Sequence, residues 1–147
     1  MYHSKKARTV ALLLSFALTA SILAGCGSHE AKPGEGSGYT AYGMAECVVE
    51  DAGISYPIYL LVKTDEKGVI LSVEDDGTEV PEGKDAKYLK AQVLFETLVG
   101  KNASSLGELD AVSGATYSSQ AIFSAVQQAL DEVNIALQSA DGSEQES

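Results

Sequence analysis

Ala121-Ile122-Phe123-Ser124-Ala125-Val126-Gln127-Gln128-Ala129-Leu130-Asp131-Glu132-Val133 is the stretch that decides the fold. Ala121, Ile122, Ala125, Val126, Ala129, Leu130 and Val133, continued by Leu137, recur at spacings of one, three and four, which is one face of an α-helix. Gln120, Gln127, Gln128, Asp131 and Glu132 occupy the other face. A helix with such a stripe must bury it, and the upstream segments supply a sheet to bury it on. Ala45 to Glu50 and Tyr56 to Lys63 are rich in β-branched and aromatic residues, and Glu50-Asp51-Ala52-Gly53 between them is a turn signal. Pro57 makes the start of the second segment an edge or entry point. Asp65-Glu66-Lys67-Gly68 turns the chain again, into Val69 to Val73. Past an acidic loop, Asp75 to Gly83, the residues Tyr88, Leu89, Val93 and Phe95 to Val99 return at helical spacing, with Gly100 as a stop. The expected fold class is α+β: a small antiparallel sheet of three short strands packed against two helices, in a domain spanning residues 39–138.

The flanks are of another kind. Lys5, Lys6 and Arg8 precede an almost wholly apolar run from Val10 to Ile22, too short for a comfortable bilayer span but suited to a secretory signal. It ends in Leu23-Ala24-Gly25-Cys26, which resembles the lipobox of bacterial lipoprotein signal peptides. The resemblance implies cleavage after Gly25, a thioether lipid on Cys26 and acyl chains such as palmitate at the new amino terminus. Residues 1–25 are then a signal peptide, and the product is lipid-anchored on the extracytoplasmic face of the cell membrane. More than one chain is needed to hold it there. Residues 26–38, with glycines at 27, 34, 36 and 38, Pro33 and no large apolar side chain, read as a flexible tether. Residues 139–147 read as a polar, acidic tail.

Three of the ten Lys+Arg and none of the 21 Asp+Glu precede Cys26, leaving seven cations against 21 acids, a formal charge of −14 and no arginine. Nucleic acid is excluded as a partner, because phosphate binding needs a basic face. Cys47 has no second cysteine to pair with once Cys26 is lipidated, and with Val48 and Val49 as neighbours it reads as a small apolar strand residue. No metal-ligand spacing is present.

The chemistry lies just before the final helix, in Asp110-Ala111-Val112-Ser113-Gly114-Ala115-Thr116-Tyr117-Ser118-Ser119. Gly114 permits a sharp turn, Ala115 leaves room beside it, and Ser113, Thr116, Ser118 and Ser119 put four hydroxyls around the first helical turn. Free N–H groups at a helix start, with the dipole behind them, suit a phosphate. A serine-rich helix cap is the purely structural reading of the same residues.

Asp110-x-x-Ser113-Gly114-Ala115-Thr116 also resembles the flavinylation motif of the FMN-binding domain family, found in subunits of sodium-pumping NADH:quinone reductases and in small exported lipoproteins. The resemblance implies that a separate flavin transferase moves the FMN half of FAD onto the motif threonine. Thr116 would then carry FMN as a phosphoester, Ser113, Gly114 and Ala115 would shape the loop, and Asp110 would fix the turn or be read by the transferase. Tyr117 and Ser118 complete the expected cofactor-binding set, with Tyr88, Tyr42 and Phe95 as further candidates for an aromatic wall. Covalent attachment also answers a difficulty: so acidic a chain is poorly equipped to hold a free phosphate by charge alone.

The expected function is electron transfer from a membrane donor to an external acceptor. No residues for an independent substrate reaction stand out, so the protein reads as a carrier rather than a self-sufficient enzyme. A non-redox surface lipoprotein, a binding module on the same fold, is the competing reading.

Overall fold

The computed structural model describes residues 31–33, 36, 38–83 and 85–142. The signal segment 1–25, the lipidation candidate Cys26 and the tail beyond 142 lie outside the described residues.

The sheet has four antiparallel strands in the order β1 (Lys32–Pro33), β2 (Tyr39–Val49), β3 (Ile54–Thr64) and β4 (Ile70–Asp75). Strands β2 and β3 form a hairpin whose register runs unbroken from Tyr39 opposite Thr64 to Val49 opposite Ile54. The turn Glu50–Ala52 is a short 3-10 segment closed by Gly53 at φ +60°, whose N–H donates to the Glu50 carbonyl at 3.1 Å. Along β3, Tyr56, Ile58, Leu60, Val62 and Thr64 are buried while Ser55, Tyr59 and Lys63 are exposed, the period of two expected of a half-buried strand. At the β3–β4 turn, Asp65 accepts hydrogen bonds from the N–H groups of Val69 and Lys67, at 2.9 and 2.8 Å, and these hold its carboxyl below the ordinary range.

The long helix covers one face of this sheet, packing chiefly on β2 and secondly on β3. It is α3 in chain order and spans Thr116–Gly142. Its predicted stripe from Ala121 to Val133 is buried at every position, and Leu137 is half-buried. The approach to β2 is close enough to dictate sequence. A Cβ on Gly43 would stand 1.8 Å from the Ala125 carbonyl oxygen, so only glycine fits. Beside it, the Met44 N–H on the open edge of β2 donates to the Gln128 side chain at 2.7 Å. The helix thereby satisfies an edge group that would otherwise invite another strand.

Two short helices, α1 (Asp85–Ala91) and α2 (Leu94–Leu98), complete the core, α1 against α3 and α2 against β4. The sequence pattern predicted one helix here. The chain breaks it at Gln92–Val93, where the Gln92 N–H is shared between the carbonyls of Tyr88 (3.0 Å) and Leu89 (3.3 Å). The break shifts the buried set to Tyr88, Ala91, Leu94 and Leu98 and turns Leu89 and Val93 to solvent. Gly100, at φ +83°, stops α2 as predicted, and its N–H donates to the Ile70 carbonyl at 2.8 Å.

Three boundaries differ from the sequence reading. Lys32–Pro33, within the stretch read as a flexible tether, pairs with Thr40 and Tyr39 as β1. Strand β2 begins at Tyr39 rather than Ala45, because its pairing with β3 continues unbroken back to Tyr39 opposite Thr64. Helix α3 runs to Gly142, into the stretch read as a polar tail. The α+β class and the turn at the start of the last long helix stand as expected.

Candidate functional site

The motif residues form a tight turn feeding directly into α3. The Ala115 N–H donates to the Val112 carbonyl at 2.9 Å, and Gly114 takes the third position of that turn at φ +77°, a conformation that favours glycine. The first helical bond runs from the Ser119 N–H to the Ala115 carbonyl at 2.9 Å. The N–H groups of Thr116, Tyr117 and Ser118 therefore open the helix with no helical carbonyl before them.

Ser119 locks this arrangement. Its side chain is fully buried, accepts the Val112 N–H at 3.0 Å and donates to the Ala115 carbonyl at 2.8 Å. Turn and helix start are thus fastened by one hydroxyl. The sequence reading placed Ser119 only among four hydroxyls and gave it no separate role. A serine four residues into a helix gives no hint that its side chain reaches back to the turn.

The other motif residues divide by exposure. Asp110, Ser113, Gly114 and Thr116 are exposed, and Ala115 is buried. No described residue donates a hydrogen bond to the Asp110 carboxylate. Ser118 is buried and lies 3.4 Å from the Tyr56 hydroxyl. Tyr56 in turn faces Cys47 across the hairpin. Burial pushes the Tyr56 hydroxyl up to about 12, the Cys47 thiol adds to the shift and Ser118 opposes it. Cys47 is thus a buried strand residue, as its neighbours in the sequence indicate.

Beside Thr116 a cavity of about 320 Å³ opens, lined by Val49, Tyr56, Lys87, Gly114, Ala115, Thr116, Tyr117 and Ser118. Tyr117 stands half-exposed at its rim, with its hydroxyl 3.4 Å from the Asp51 carboxylate. The negative charge of Asp51, then partial burial, raise that hydroxyl's pKa. Of the aromatic residues named from the sequence, only Tyr117 reaches this cavity. Tyr88 is in the core, Phe95 packs against it, and Tyr42 lies on the sheet surface away from the core. Tyr56 and Val49 take their place. The hairpin end carries them to the mouth of α3, a juxtaposition created by long-range packing and invisible in local spacing.

One feature runs against the charge count. The ammonium groups of Lys87 and Lys90 converge on Gly114, where a Cβ would lie 3.2 Å from Lys90 Nζ and 4.0 Å from Lys87 Nζ. The chain is strongly acidic as a whole, yet it is locally basic at this turn. An FMN needs a seat for its phosphate and a largely apolar wall for its ring. Two ammoniums and a helix start supply the first, and Val49, Tyr56 and Tyr117 supply the second. The residues present fit the group.

Comparisons with known proteins agree with this geometry. A family model described as FMN-binding domain matches residues 53–131, from the end of the hairpin turn through the motif and well into α3. Neither the curated proteins nor the solved structures contain a match. With more than half of its length matched, the chain belongs to the FMN-binding domain family, and FMN is its cofactor.

Proposed function

We propose that this protein is an electron carrier with FMN esterified to Thr116, held outside the cytoplasm by a lipid on Cys26. The observation that carries the reading is the setting of Thr116. It is exposed, it is the first residue of α3, it borders the cavity, and a glycine turn braced by Ser119 presents it. An acceptor hydroxyl for a separate transferase must be accessible in this way, and it needs no activating base of its own.

In the attachment step, Thr116 Oγ bonds to the FMN phosphorus while the pyrophosphate bond of FAD breaks. AMP departs and the hydroxyl proton is released. The resulting phosphodiester would carry one negative charge on its oxygens, which the free N–H groups of the helix start would stabilise. Bound FMN supplies exchange of one or two electrons, connecting two-electron donors with one-electron acceptors. The protein's own share is placement. Val49, Tyr56, Tyr117 and the buried Ser118 line the cavity, and Ser119 behind them holds the turn to the helix start. Export supports the covalent link, since a freely dissociating cofactor would be diluted away outside the cell.

The test is mass spectrometry of the chain co-expressed with a flavin transferase. The peptide bearing Thr116 should gain one FMN less one water, and Thr116→Ala should abolish the gain with little loss of fold. An unmodified Thr116 beside a control substrate that the same transferase modifies would leave a non-redox lipoprotein as the better reading. Membrane retention should likewise be lost in Cys26→Ala.

A further inference from the structure

We infer that Lys87 and Lys90 are the cationic half of the phosphate seat, receiving the pyrophosphate of FAD during attachment and holding the phosphodiester afterwards. The inference rests on Thr116 being the attachment point. Lys87 and Lys90 lie three residues apart on α1, so they project from one side of it. Both ammonium groups reach the same spot, the turn two residues before Thr116, and Lys87 also lines the cavity that Thr116 borders.

Two like charges in one place repel. Neither lysine pairs with a described carboxylate, although the chain has 21 acidic residues and Lys63 pairs with Glu74 at 3.0 Å. Two cations gathered there, with no carboxylate paired to them among the described residues, would be stabilised by an anion from outside. The opening N–H groups of α3 begin two residues after Gly114, so a phosphate at the turn would have donors from both elements within reach. Helix α1 is itself held in place, because Tyr88 between the two lysines donates a hydrogen bond to Asp75 at the end of β4. The stretch of backbone that carries the two lysines is therefore fixed in place. Glycine at 114 suits the seat, since φ +77° favours glycine and a Cβ there would crowd Lys90 Nζ at 3.2 Å.

The experiment compares the full chain with Lys87→Gln/Lys90→Gln and Lys87→Arg/Lys90→Arg, using purified transferase and a range of FAD concentrations. Modification is read by intact mass. The phosphorus of each modified protein is then read by 31P NMR, folded and in denaturant. In the glutamine variant the FAD concentration for half-maximal modification should rise about tenfold or more, as expected for losing charge-assisted hydrogen bonds. Its folded 31P resonance should move toward the position seen in denaturant. The arginine variant should behave as the parent on both readouts. A parent chain that takes up no FMN defeats the reading of Thr116 itself. A parent that is modified normally, with the glutamine variant matching it on both readouts, overturns the lysine seat alone. A change in FAD dependence with an unmoved 31P resonance also overturns it, because the lysines would then serve transferase docking instead.

Discussion

The Tyr88 hydroxyl donates its hydrogen to the Asp75 carboxylate, joining helix α1 to the end of strand β4 through a side-chain pair. Thr78 supports the same carboxylate through its N–H at 3.0 Å, as does the Gly77 N–H at 3.0 Å. Burial alone would raise the Asp75 pKa, but the hydrogen bonds from Tyr88, Thr78 and Gly77 outweigh it and hold the carboxyl below its ordinary range. Burial, followed by the bond to Asp75, raises the Tyr88 hydroxyl.

The sign of the pH dependence follows from these two directions. Asp75 has a depressed folded pKa, so its contribution is present above the unfolded value near 3.9 and is lost as pH falls through the folded one. Tyr88 has a raised folded pKa, so its contribution is complete below about 10 and is lost as pH climbs beyond. Tyr88→Phe should cost about 1.5–3 kcal/mol at neutral pH, the range for a hydrogen bond to a charged group. The cost should shrink toward low pH as Asp75 protonates. Urea titrations of both proteins at pH 7 and pH 3 check this, and an equal difference at the two values would contradict it.

Ser119→Ala should weaken the turn without touching the cofactor. The Val112 N–H would lose its acceptor in a half-buried place, at a cost of about 1–3 kcal/mol. Thermal melting reports the loss. Flavin attachment to Thr116 should slow as well, since the turn presenting the acceptor is no longer clamped. An unchanged attachment rate in a destabilised variant would show that the turn holds its shape without the serine.

Gly43→Ala should be among the most damaging single changes in the domain. The added carbon would sit on the Ala125 carbonyl, so either β2 or α3 must move, and overpacking of this kind costs about 1–3 kcal/mol or more. Loss of the Gln128 bond to Met44 would follow any such movement. Chemical denaturation of the apoprotein measures the cost.

Thr64→Val should do the opposite. The Thr64 hydroxyl is buried with no hydrogen-bond partner among the described residues, at the irregular register between Lys63 and Thr64 where β3 meets β4. Valine keeps the branched shape and removes the orphaned hydroxyl, which should raise stability by about 1–2 kcal/mol. A fall in melting temperature would show that the hydroxyl is satisfied in solution.

How much of this was legible in the sequence differs by element. The phase of the stripe from Ala121 to Val133 was plain, because apolar residues recur on one surface over several turns. The hairpin and its turn were equally plain in Glu50-Asp51-Ala52-Gly53. The break at Gln92–Val93 was not, since Leu89 and Val93 are apolar residues at helical spacing that happen to face solvent. Nor was β1, two residues with no periodicity that pair only because β2 offers a free edge. At the site, the motif itself was visible as a local string. The partners it meets in space, Val49, Tyr56, Lys87 and Lys90, come from the hairpin and from α1, and only tertiary packing brings them to Gly114 and Thr116. The overall charge also misled: seven lysines among 21 acids give no warning that two of them gather at one turn.

Strand β1 fixes where the amino-terminal end of the described chain lies relative to the site. Pro33 pairs with Tyr39, and Ala31 and Pro33 share a cleft with Ile135, Ala136 and Ser139 near the far end of α3, roughly 30 Å of helix from Thr116 at 1.5 Å per residue. Only residues 27–30 separate Ala31 from Cys26, a reach of roughly 18 Å at full extension. On the proposed anchoring, the lipid grips the base of a short mast and the flavin rides at its tip. A redox partner that projects from the bilayer or arrives from solution would then meet the flavin end first.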